Sequence, residues 1–129
     1  MTKARKTILT SLEHAKEPIS VSELAKQLSD FCDPATVYRN LHYLENNNLA
    51  TSFILHCSEH GTERYYSAKG GVEHHHWFHC EHCHRFIDLG GCFYTEQLEQ
   101  FESEHGFTVN DHTFYLTGIC KACKEELGV

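Results

Sequence analysis

The sequence predicts an α+β fold in two parts, a winged helix-turn-helix followed by a small α/β domain. Three observations predict it. Three helical patterns with tight connections precede two β-prone runs joined by a glycine-containing turn. The charge pattern changes at Lys69-Gly70-Gly71. Two Cys-x-x-Cys pairs, Cys80/Cys83 and Cys120/Cys123, bracket the strand, helix and strand patterns of the second part.

Residues 4–16 place Ile8, Leu9, Leu12 and Ala15 on one side at helical spacing, and Pro18 ends that helix. Ser20-x-x-Glu23 is a capping-box pattern ahead of Leu24, Ala25 and Leu28. Asp33 suits an N-cap and Pro34 the first helical position of a third helix. That helix turns Val37, Leu41 and Leu44 inward and stops at Asn46-Asn47-Asn48. Residues 49–57 and 63–68 are β-prone and flank the polar turn 58–62. A hairpin directly after the last helix of a helix-turn-helix is a wing. The domain boundary is set at residues 70–71, giving domains 1–70 and 71–129. In the second, 85–89 is a short strand and 93–106 a helix ended by Gly106. Residues 107–119 alternate as one or two strands, and a short polar tail follows the last cysteine pair.

The formal net charge of −7 disfavours a polyanionic partner only at first sight. Residues 1–70 balance eight Lys/Arg against eight Asp/Glu, whereas 71–129 hold three against ten. Only the first part can approach nucleic acid without repulsion. No apolar run reaches the roughly 18 residues of a membrane span, and the N-terminal stretch has no uninterrupted apolar core. A cytoplasmic protein with no membrane partner is expected.

In such a compartment two Cys-x-x-Cys pairs point to metal rather than disulfides. Two residues between cysteines let both thiolates reach one ion from a tight turn. Two such pairs supply the tetrahedral S4 set preferred by structural Zn2+. Cys80, Cys83, Cys120 and Cys123 would tie the start of the second domain to its end. Thioredoxin-like chemistry needs a single pair at a helix start in a βαβ setting, which is absent. Residues 74–84 crowd six histidines around the first pair. On an extended strand His74 and His76 face one way and His75 the other. His112 could fold back to the first two and Glu96 add a carboxylate, making a second metal site; the plainer alternative is a solvated histidine surface. In the third helix Thr36, Tyr38, Arg39 and Asn40 are donors and apolar contacts suited to bases and phosphates. Lys3, Arg5 and Lys6 could reach the backbone or minor groove. The alternative there is a plain amphipathic helix.

"ATVYRNL", "HHHWFHCEHC" and "GFTVNDHTFYLTGICKAC", in that order, resemble the ferric uptake regulator (Fur) family of metal-responsive repressors. The resemblance runs from Arg5 to Cys123. It implies an α/β dimerisation domain, a homodimer on an AT-rich inverted repeat of double-stranded DNA, and a divalent metal corepressor. It places Thr36, Tyr38 and Arg39 in the recognition helix and the four cysteines at the structural zinc. It places His74, His76 and His112 at a second site, whose glutamate falls near Thr95 or, with a one-residue shift, on Glu96. His75 and Asp88 match two ligands of a third site. Trp77 replaces another of its ligands, and a further position falls on Tyr66 or Ser67. That site is therefore incomplete, or rebuilt with Cys57 or His60.

The expected function is metal-dependent repression of metal-homeostasis genes, with Zn2+ favoured over Fe2+ or Mn2+ as the sensed ion. Asp88 prompts a peroxide-responsive alternative. A zinc storage or chaperone protein is the alternative of another class. A thiolate-saturated zinc leaves no open position, so no enzyme is expected.

Overall fold

The structure is a computed structural model that describes residues 1–69 and 75–129. The chain divides into two compact units, Met1–Gly71 and Val72–Val129. The expected boundary residues Gly70 and Gly71 lie outside the described residues, as does His74.

The first unit begins with helix α1 (Lys3–His14), opened by Thr2, whose side chain accepts from the Arg5 N–H. A two-residue strand β1 (Ile19–Ser20) leads into α2 (Val21–Gln27). Ser20 caps α2 by accepting from the Glu23 N–H at 3.2 Å, as the capping pattern predicts. Helix α3 (Pro34–Asn46) opens on Asp33, which accepts from the Thr36 N–H at 2.7 Å, with Pro34 in the first turn. It closes in the asparagine run, where Asn48 takes a positive φ of 59°. Asparagine adopts that conformation more readily than most residues.

Strands β2 (Ala50–Cys57) and β3 (Gly61–Ala68) form the antiparallel wing, in register from Ala50↔Ala68 to Cys57↔Gly61. Gly61, at φ +78°, makes the reversal where a side chain would be strained. The sheet order is β1-β3-β2. Strand β1 was not foreseen. Two residues are too few to show alternation, and only the pairing of Ile19 with Tyr66 and Ser20 with Tyr65 makes them a strand.

The inward faces meet in one core. Ile8, Leu12, Leu24, Leu28, Val37, Leu41, Leu44, Ala50 and Tyr66 are buried together. Arg5 joins α1 to α3 from the side. Its Nε donates to Asn40 Oδ1 at 3.0 Å and its guanidinium lies 3.5 Å over the Tyr43 ring. Glu45 of α3 holds Ser52 of β2, which also accepts from Arg64 of β3, so the wing is tied to that helix.

In the second unit β4 (His75–Cys80) is the central strand of the order β5-β4-β6. Strand β5 (Phe86–Gly91) pairs with it antiparallel and β6 (Tyr115–Gly118) parallel. Helix α4 (Thr95–His105) ends at Gly106, in the left-handed conformation. Helix α5 (Lys121–Leu127) begins at Cys120 and ends at Gly128.

Two expectations are corrected here. Residues 107–114 are irregular, so the predicted strand pattern is real only over Tyr115–Gly118. The polar tail is a helix, whose one legible signal was Gly128 past its end. Helix α4 buries none of its own residues, and Phe93, Phe101 and Phe107 stay about half exposed.

Asp33 gives this fold a measurable acid dependence. The Thr36 N–H holds its carboxyl below the ordinary 3.8. A carboxyl depressed in the folded state stabilises it above the unfolded value and loses that contribution as pH falls through the folded value. Asp33→Asn keeps a cap acceptor but no charge. Urea unfolding across this acid range should show a shallower loss of stability in the variant than in the parent; parallel curves would refute the assignment.

Candidate metal centres and nucleic-acid face

The four cysteines converge. Cys80 ends β4, Cys83 lies in the turn after it, Cys120 caps α5 and Cys123 sits in its first turn. The parallel pairing of β4 with β6 puts Cys80 opposite Gly118, which brings Cys120 alongside. Sγ of Cys80 lies 3.8 Å from that of Cys123, and Sγ of Cys83 lies 3.8 Å from that of Cys120. A tetrahedron with Zn–S bonds of about 2.3 Å has edges of about 3.8 Å. The donor set and spacing are those of a structural zinc site.

The electrostatics point the same way. Burial pushes the Cys80 thiol up, but the N–H groups of Cys83, Cys120 and His82 more than offset it and bring the group down to about 5. The Cys123 N–H lowers Cys120 against its own burial. Cys123 is pushed up to about 12 by burial and by the sulfurs of Cys120, Cys83 and Cys80 around it. Four thiols this close resist full ionisation unless a dication sits among them. His82 adds an Nδ1 3.3 Å from Cys123 Sγ.

The unit carries a second grouping. His76 is buried at 4% exposure, while His75, one residue earlier on β4, is exposed. The opposite orientations expected of these neighbours are thus present. His76 Nε2 lies 3.2 Å from His112 Nε2, and Cys92 Sγ lies 3.3 Å from that same His112 nitrogen. The expected His76–His112 meeting occurs. Glu96 is exposed on the first turn of α4 and joins no ligand grouping among the described residues. Cys92 stands in the grouping instead. Sequence reasoning missed it because a single cysteine outside a paired motif carries no spacing signal.

His75 and Asp88 also meet. His75 Nδ1 is 2.8 Å from both carboxylate oxygens, and the two side chains are 48% and 44% exposed. Asp88 is pulled below its ordinary value: burial raises it, and the hydrogen bonds from His75 and the Gly90 N–H outweigh that. Trp77 lies directly opposite Asp88 across the β4–β5 pair. Tyr66 is fully buried in the first unit's core, which leaves it no access to an ion.

On α3, Tyr38 is 51% exposed, Arg39 is exposed with Nη2 donating to Thr36 Oγ1 at 3.2 Å, and Thr36 is half-buried. Lys3 and Lys6 of α1 are exposed. Asn40 departs from expectation. It is 7% exposed, and its amide accepts from Arg5 and donates to the Thr36 carbonyl at 2.9 Å. The Asn40 amide, with Arg5 Nε, thus joins α1 to α3. The i, i+4 geometry of a helix turns Asn40 to the Thr36 side of the core. No helix among the described residues is long and apolar enough to cross a membrane.

Comparison with known proteins places this geometry. The ferric uptake regulator family model matches residues 1–117. The ferric uptake regulation protein of Campylobacter jejuni is 27% identical over 131 residues, covering 97% of this chain and 80% of that protein. The solved Helicobacter pylori ferric uptake regulator, described with three functional metal-binding sites, superposes with a TM-score of 0.71 at 23% identity, covering 96% of this chain and 81% of that one. A zinc uptake regulator solved with zinc and DNA gives 0.72 at 18% identity, covering 99% and 85%.

Removal of one thiolate tests the four-cysteine centre. Cys120→Ser should lose the zinc that survives dialysis against a mild chelator in the parent. Amide resonances of residues 75–129 should collapse while those of the first unit, with its own core, persist. A variant that retains zinc and a folded second unit would show that the four sulfurs do not hold the metal.

Proposed function

The chain belongs to the ferric uptake regulator family of metal-responsive, DNA-binding regulators, and within it we propose a zinc-dependent repressor acting as a homodimer on an AT-rich inverted repeat. The observation that carries the reading is an exposed Tyr38–Arg39 face on α3 together with a His76–His112 pair, of which His76 is buried and His112 half-buried, in the other unit. One reads a duplex, the other an ion.

Arg39 and Tyr38 supply the contacts to phosphate, guanine or a thymine methyl, and Thr36 adds a hydroxyl. Lys3 and Lys6 add backbone contacts from α1. Dimerisation gives the apolar side chains of the second unit a place. Phe93, Phe101, Phe107 and Leu116 are each 44% exposed or more, which a lone protomer leaves in water. A structural Zn2+ on Cys80, Cys83, Cys120 and Cys123 holds the unit together. A second Zn2+ on His76 and His112, with His74 as the sequence assigns it, acts as corepressor. The ion represses by binding the DNA-competent form of the dimer more tightly than the incompetent one.

An iron or manganese signal is the second reading. The Campylobacter jejuni relative is named a ferric uptake regulation protein. The His75–Asp88 pair offers the nitrogen and oxygen donors that Fe2+ and Mn2+ accept.

Selection from random-sequence duplexes, repeated with Zn2+, Fe2+, Mn2+ and chelator, tests both. An inverted repeat should emerge with Zn2+ and vanish with chelator. Enrichment by Fe2+ or Mn2+ alone would favour the second reading. Binding indifferent to every divalent ion would end corepression. Arg39→Ala should weaken all duplexes and reduce the salt slope by about one per recognition helix. Asn40→Ala should instead lower stability by about 1–3 kcal/mol, because the Arg5 Nε–H loses its acceptor between α1 and α3. Unimpaired duplex binding by Arg39→Ala would remove α3 from the interface.

A further inference from the structure

We infer that Cys92 is a ligand of the His76–His112 site, and that its thiolate sets the site's preference for Zn2+ over Fe2+ and Mn2+. The inference rests on the reading of that site as the one that binds the second ion.

The three donor atoms, one from each residue, lie within 4.8 Å of one another. Cys92 comes from the link between β5 and α4, His76 from the middle of the sheet, and His112 from the irregular run before β6. The tautomer of His76 is fixed by its surroundings. Its Nδ1 faces the Phe114 carbonyl at 3.1 Å. A carbonyl only accepts, so Nδ1 carries the proton and the neutral ring keeps a lone pair on Nε2. A metal-binding histidine is oriented in this way by a backbone carbonyl on its other nitrogen. That Nε2 is aimed at His112 Nε2, 3.2 Å away, which in turn lies 3.3 Å from Cys92 Sγ.

Hydrogen bonding alone serves this arrangement poorly. A proton on His112 Nε2 can be given to His76 or to Cys92, but not to both in a linear bond. A cation serves all three donors at once. The separations fit one as well: Zn–N bonds of about 2.0–2.1 Å give tetrahedral N···N edges of about 3.3 Å. The rings of Phe93 and Phe114 stand edge-on to His76, with centroids 6.4 and 5.6 Å away, and wall the site with apolar surface. On binding, the Cys92 thiol releases its proton to solvent and becomes the anionic ligand.

The donor set decides the ion. Imidazoles joined by a thiolate suit zinc, whereas a carboxylate in the thiolate's place suits manganese and iron better. Glu96 could have supplied that carboxylate but stays on the exposed first turn of α4. The metal choice of this chain is therefore written at position 92.

Co2+ is the probe, because thiolate ligation gives it a near-ultraviolet charge-transfer band that nitrogen and oxygen ligands do not. The dimer is prepared with zinc on the four cysteines, and retention of that zinc is followed by elemental analysis. Added Co2+ should occupy a second site with a charge-transfer band of one-thiolate strength. Cys92→Ser and Cys92→Asp should each abolish the band, and both should lower Zn2+ affinity at the second site at least about tenfold. Cys92→Asp should also narrow the gap between Zn2+ and Mn2+ affinities. A second Co2+ bound without the band, or a band that survives both substitutions, would remove Cys92 from the site and leave a histidine-held ion standing. No second ion bound under any loading would overturn both this inference and the corepressor reading beneath it.

Discussion

Everything in the second unit depends on four sulfurs held around one point. Among its described residues the buried side chains are His76, His79, Cys80, Phe86, Cys120 and Cys123. So small a set does not offset the ordering entropy of more than fifty residues. Half of these side chains are cysteines of the zinc site, so the metal takes the place that leucines and valines hold in the first unit. The contrast is plain in Leu24, Val37, Leu41 and Leu44, which are fully buried without any ion. The first unit is held by area removed from water, and the second by coordination bonds.

Strand β4 links this staple to the rest of the chemistry. Side chains alternate across a strand, so a run of adjacent ligands serves two faces at once. His76, Phe78 and Cys80 share one face, and His75 and Trp77 the other. The β4–β5 register then slips between His75 and Trp77, where His75 pairs with Gly91 but Trp77 with Asp88. The extra residue lies on β5, at Gly90, whose φ of +87° only glycine takes easily. Asp88 sits opposite Trp77, on the face that also carries His75, so the exposed histidine–aspartate pair closes diagonally across the two strands beside that bulge.

The first unit was legible almost throughout because its signals are local. Caps at Ser20 and Asp33, a proline at 34 and an apolar spacing of three and four each act within one turn of the chain. The four-cysteine site was legible for a related reason: each pair is closed locally, the first by a tight turn and the second by the start of α5, and zinc demands two pairs. What escaped the sequence is what depends on distant partners. Strand β1 exists only because Tyr65 and Tyr66 arrive beside it. Asn40 faces inward because Arg5, thirty-five residues away, meets it there. Cys92 joins His112 only through the run of chain that returns to the sheet. Helix spacing marked Phe93, Leu98 and Phe101 as apolar, but Phe93 precedes α4, and spacing does not say what buries Leu98 and Phe101.

The same division accounts for how one unit can hold one ion permanently and another reversibly. Three of the four structural sulfurs are buried and sit at the ends of β4 and α5, elements already closed by backbone hydrogen bonds. Removing that ion leaves thiolate charge in a dry place, which resists dissociation. The second grouping is different in kind. His76 is rigid, on the central strand, but Cys92 and His112 belong to connections without regular structure. Among the side chains of 107–114 none is buried. An ion that joins them is held in part by a segment leading directly into β6 and the Cys120 end of the staple. A ligand set split between rigid and irregular backbone is thus suited to a signal, as one built wholly on closed elements is suited to a staple.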